Sequence, residues 1–205
     1  MPDLSLEEGT FLVRIARTTI ASFFATGRIP EIRPPYPKLE EKSGAFVTLN
    51  TYPEGELRGC IGFPEPLLPL YKAVMRAALA AAFEDPRFPP LSESELSEVV
   101  IEVSVLTPPE RIDLIPESRE DLPKLIEVGR HGLIVRKGPF SGLLLPQVAV
   151  EYSWDPAEFL DHTCLKAGLR PKCWLTEGIE VYRFSAIVFA EESPNGEVVL
   201  REEIG

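Results

Sequence analysis

The stretch ELRGCIGFPEP, residues 56–66, sets an arginine, two glycines and one of three cysteines inside a run otherwise apolar enough for a buried strand. If residues 57–62 are extended, alternation turns Leu57, Gly59 and Ile61 to one side and Arg58, Cys60 and Gly62 to the other. A guanidinium and a thiol then share a face at about 7 Å between β-carbons, near enough for the cation to favour the thiolate, the nucleophilic form of cysteine. Gly59 and Gly62 would leave room for a ligand to approach the backbone. The competing account makes Cys60 a small hydrophobe beneath a helix, with Arg58 paired to Glu56 or Glu102.

Further polar groups gather around that pair. In FEDPRFPP, Asp85 and Arg87 flank a rigid proline turn, where they either orient an anionic ligand or Cys60, or simply end a helix and pair with each other. Glu102 and Ser104 share the wetter side of a later strand. Should that strand neighbour residues 57–62, they join Arg58 and Cys60 in a polar patch with Thr48 or Asn50 at its edge. Metal chemistry finds little support. His162 and Cys164 sit two positions apart on one helix, about 200° around its axis, so they cannot face one ion. His162 is expected in water, and His131 in a GRHG turn, which leaves a cysteine–histidine dyad without its base. Phosphate-loop, dinucleotide, zinc-protease and serine-hydrolase motifs are absent.

The elements that must position these groups follow from pattern. Ser5 and Glu8 form a capping box ahead of apolar residues at helical spacing, from Phe11 to Phe24, with Gly27 as the stop. GAFVTLNT and ELRGCIG read as a hairpin turning at Glu54–Gly55, and LLPLYKAVMRAALAAAF, from about Leu67 to Phe83, as a buried helix. EVVIEVSVLT alternates cleanly, with Val99, Ile101, Val103 and Val105 on the dry side. LIEVGRHGLIVRK suggests a hairpin turning at residues 129–132, FSGLLLPQVAV a buried strand, Asp155 to Gly168 a capped helix, and EVYRFSAIVFAEE with EVVLRE a closing hairpin. Hairpins mixed with helices, without regular alternation, predict an α+β fold, mostly antiparallel sheet flanked by helices, in a single domain over 1–205.

Composition bounds the rest. The net charge of −11 repels nucleic-acid backbones, no apolar run reaches the length of a membrane span, and the acidic N-terminus is unlike a signal peptide, so the expected address is the cytoplasm. Arginine-rich, proline-rich composition with few Cys and Met fits adaptation to heat. In such a source Cys164 and Cys173 could pair even inside the cell; three reduced thiols are the default reading.

LRGCIG matches the hallmark hexapeptide of the AMMECR domain family. FVTLN, DPRFPP, IEVSVLTPPE, GLLLPQV and CLKAGL resemble its other blocks in the same order, over nearly the whole chain. The resemblance implies two unequal lobes with the hexapeptide lining a cleft between them, and brings no settled activity. It also implies a link, through gene neighbourhood and fusion, to Memo-type proteins, which resemble metal-dependent dioxygenases, and to radical-SAM enzymes. Cys60 and Arg58 are thus the candidate catalytic pair, with Gly59, Gly62, Asp85, Arg87, Glu102, Ser104 and Asn50 as candidate binding residues for an anionic small molecule. The alternative is a non-catalytic adaptor gripping a protein partner at the same place. No cofactor or metal is indicated.

Overall fold

Ser5 accepts the Glu8 N–H while the Glu8 carboxylate accepts that of Ser5, and this box starts α1, Leu6–Thr26, which Gly27 ends in the left-handed conformation at φ 66°. The structure, a computed structural model, describes residues 4–201; residues 1–3 of the acidic N-terminal stretch, and Glu202, expected in the last strand, lie outside the described residues. Along the chain follow β1 (Ala45–Thr51), β2 (Leu57–Phe63), α2 (Leu70–Phe83), β3 (Val99–Leu106), β4 (Glu110–Arg111), β5 (Gly132–Lys137) and β6 (Phe140–Leu144). Then come α3 (Pro146–Glu151), α4 (Pro156–Lys166), β7 (Glu180–Phe184), β8 (Ala186–Glu191) and β9 (Val198–Arg201). The fold is α+β with two antiparallel sheets.

Residues 4–107 and 187–201 form one compact unit around a sheet of order β2-β1-β3-β8-β9. Val47 and Leu49 of β1 and Ile101 and Val103 of β3 point to α1 and α2, where Leu12, Ile20, Val74 and Ala78 complete a dry core. Glu191 is fully buried there, held by the Arg17 guanidinium at 2.8 Å and by the Ile101 N–H at 3.0 Å, so its charge is compensated by a cation and a backbone donor. α2 starts three residues later than its apolar run suggests, because the backbone of residues 68–70 is tied to residues 41–43.

Residues 108–186 form a second unit around the sheet β4-β7-β5-β6, with Leu133, Val135, Phe159, Leu160 and Val181 in a separate core. Several expectations are corrected here. The expected first arm before Gly129 forms no strand: Leu125 ends a 3-10 turn, Arg119–Leu125, and the Glu127 carbonyl accepts the N–H groups of Arg130 and His131 in a turn of its own; the hairpin is β5–β6, turning at Gly138. FSGLLLPQVAV divides, since Pro146 ends the strand and occupies the first turn of α3. EVYRFSAIVFAEE also divides, into β7 and β8 of different sheets. Cys164 and Cys173 are joined in a disulfide: the chain reverses after α4, where Gly168 takes φ 76°, and brings the two Cα atoms to 6.0 Å. His162 is not free in water but stacks on Trp154 at 3.7 Å between ring centroids. No helix among the described residues is long and apolar enough to cross a membrane.

Candidate functional site

β2 lies at the edge of its sheet, and its two faces do different work. The odd side carries Gly59 and Ile61 toward α2. A methyl at Gly59 would lie 2.2 Å from the Ala81 carbonyl oxygen, so this glycine lets an alanine-rich helix approach the strand. On the other side Gly62 lies under the Phe46 ring, whose Cδ1 would be 2.2 Å from an added β-carbon. Neither glycine leaves space for a ligand, contrary to expectation, because one is filled by helix backbone and the other by an aromatic ring.

Cys60 occupies the side of the strand away from α2, and the register shows what accompanies it; Arg58 has no partner in that register, because a bulge opposite Leu49 and Asn50 skips it and interrupts the alternation expected there. Thr48 is paired with Cys60 on one flank and with Glu102 on the other, so β1 separates β2 from β3 and Thr48 is the centre of the row, not its edge. The Thr48 hydroxyl donates to the Cys60 Sγ at 3.2 Å. Ser104 and Gly62 fall in the next row, both opposite Phe46. Asn50 lies opposite Val100 and Leu57, where a bulge after Leu49 displaces it from the Cys60 row.

The backbone of Cys60 is gripped from outside the sheet. Its N–H donates to Asp85 Oδ2 at 2.9 Å, and its carbonyl accepts from Arg87 Nη2 at 3.2 Å. Both groups point away from β1, which makes Cys60 and Thr48 a non-hydrogen-bonded pair, the arrangement in which facing side chains come closest. Pro86 stops the helical path after α2, so Asp85 and Arg87 turn back onto the strand edge, where Arg87 also binds Asp85 through Nε at 3.0 Å and Nη2 at 2.8 Å. This ion pair and the backbone N–H groups of Cys60 and Arg87, both donated to Asp85, hold its buried carboxyl well below the usual range.

Arg58 is committed elsewhere. Its Nε donates to Glu95 at 2.8 Å and its Nη1 to the Pro89 carbonyl at 3.0 Å, and the guanidinium holds Glu95 down at about 2. The expected partners, Glu56 and Glu102, are not the ones used: Glu95 reaches Arg58 from the short turn Ser94–Ser97, and Glu102 pairs with Arg201 at 3.1 Å. LRGCIG and DPRFPP therefore interlock, each supplying an arginine to the other's backbone.

The electrostatics follow from this wiring. Burial pushes the Cys60 thiol up, against the Thr48 hydrogen bond and the Arg87 charge, while Glu102 and Asp85 push the same way as burial. The guanidinium that acts on the sulfur is thus Arg87 rather than Arg58. Glu102 is also raised by burial, with Arg201 opposing. What results is a half-buried row of thiol, hydroxyl and carboxyl on a rigid sheet. It can offer hydrogen bonds, and among the described residues no cluster of His, Cys, Asp or Glu suits a metal ion. Glu95 and Arg201 were missed by sequence reasoning, and no local signal marks either, since they reach Arg58 and Glu102 across 37 and 99 positions.

A family model described as AMMECR1 matches residues 13–189. A protein of Methanopyrus kandleri is 54% identical over 200 residues, covering 97% of this chain and 96% of its own, and one of Pyrococcus furiosus is 57% identical over 198, covering 94% and 92%. The crystal structure of an uncharacterized protein from Pyrococcus horikoshii superposes with a TM-score of 0.80 at 52% identity, over 94% of this chain and 96% of that one.

Proposed function

The chain belongs to the AMMECR1 family, and from that premise we propose that the sheet face centred on Cys60 is a ligand-binding site in which the thiol serves as an un-ionised contact group. The observation that carries this reading is the row Cys60–Thr48–Glu102, with the Thr48 hydroxyl 3.2 Å from the sulfur and the Cys60 backbone clamped on its outer edge. Rigid side chains of fixed geometry suit recognition. A standing thiolate is disfavoured, since burial outweighs the one cation that acts on the sulfur. Arg58, Arg87 and Arg201 are each paired with a carboxylate, so this face favours a neutral polar ligand over an anion. The association with Memo-type and radical-SAM proteins, which rests on family resemblance, makes a metabolite of that pathway the first ligand to offer.

The test is the rate of alkylation of Cys60 by iodoacetamide as a function of pH. The expected profile is slow at neutral pH and still rising above the ordinary thiol value of about 8.5. A rate already at its plateau at neutral pH would establish a thiolate and favour a nucleophile instead. No reaction at any pH at which the protein stays folded would mean that the sulfur is closed off, and the site would fall.

A further inference from the structure

At the far end of β2, beyond the hexapeptide, the chain forms a second feature that the Cys60 row does not use. A cavity of about 340 Å³ is walled by Phe63, Leu67, Leu68 and Ala73, with Arg76 and Glu65 also lining it. This is the lower end of the size range of small-molecule sites. Arg76 lies over the Phe63 ring, its guanidinium carbon 5.1 Å from the ring centroid. Among the described residues it meets no carboxylate, unlike Arg58, Arg87 and Arg201, and Glu65 likewise meets no cation. Stacking on a ring engages the face of a guanidinium and leaves its in-plane N–H fork, which matches a carboxylate, free.

We propose that this cavity binds a small monoanionic carboxylate with an apolar body: the body fills the Phe63–Leu68 wall and the carboxylate meets Arg76. Glu65 sets the charge limit, because a second negative charge on the ligand would face its carboxylate without a further cation to balance it. The site is separate from the Cys60 row and stands or falls without it.

A matched set of probes tests this: phenylpropionate, the neutral phenylpropanol and the phosphate ester of that alcohol, each titrated into the full chain and followed by amide chemical shifts. Phenylpropionate is expected to saturate, with shifts centred on Leu68, Ala73 and Arg76. The alcohol should bind about tenfold or more weakly, the usual cost of losing a charged hydrogen-bond partner. Arg76→Gln should bring the acid down to the level of the alcohol, and Glu65→Gln should raise the affinity for the phosphate ester relative to the acid. Equal binding of acid and alcohol, shifts centred elsewhere, or no saturation would overturn the proposal. Preference of the unaltered protein for the phosphate ester would overturn the ligand class.

Discussion

At the scale of single residues, the chemistry around Cys60 is decided by which charges are already spent. The Thr48 hydrogen bond and the Arg87 charge both pull the thiol's pKa down against burial, so removing either should push it further up and leave less thiolate. Thr48→Val keeps the strand's β-branched shape and should slow alkylation of Cys60 just above neutral pH, measured by intact mass; unchanged or faster reaction would show that the hydroxyl does not act on the sulfur. Asp85 and Glu95 tie the two motifs together as carboxylates, and both are held below their usual range, Glu95 at about 2 against an ordinary 4.5. For a lowered acid, the stabilisation is complete above the unfolded-state value and disappears as pH falls through the folded-state one. Urea midpoints should therefore fall steeply between about pH 4.5 and about pH 2. Asp85→Asn is expected to cost about 1–3 kcal/mol at neutral pH, with the gap closing in acid; a gap independent of pH would mean that the carboxylate's charge is not what matters.

Among the elements, β2 and α2 are fitted to each other through small residues. Gly59→Ala would force its methyl against the Ala81 carbonyl, backbone that cannot rotate aside, and should cost about 1–3 kcal/mol in denaturant unfolding; a neutral effect would show that α2 shifts freely. The edge of β2 also needs protection, since an open strand edge is a template for pairing with another chain. Asp85 and Arg87 cover it at Cys60, and in the second unit Asp113 does similar work, accepting the Val181 N–H at 3.0 Å while bound to Arg111 and Arg119. α1, α2, α4 and the alternating strands were legible because period and caps are local. The splits at Pro146 and Ser185 were less so, because an apolar run looks alike whether it continues one strand or passes between elements.

For the molecule as a whole, the disulfide is the feature whose removal reads most clearly. It closes a short loop, residues 164–173, so replacing both cysteines by alanine should lower stability by about 2–3 kcal/mol, read as a shift in thermal midpoint absent when the unaltered protein is melted fully reduced. A variant that melts like the oxidised protein would show that the link adds nothing. Such a bond accords with relatives from thermophilic archaea, where disulfides persist inside cells. The sequence by itself determined the α+β class, the family and the capped helices, because each rests on residues near one another in the chain or on motif order. Only tertiary structure decided that Thr48 stands between Cys60 and Glu102, that Glu95 takes Arg58, and that Arg76 meets no carboxylate among the described residues. Strand order and ion pairing join residues tens of positions apart, and neither periodicity nor composition carries the identity of a distant partner.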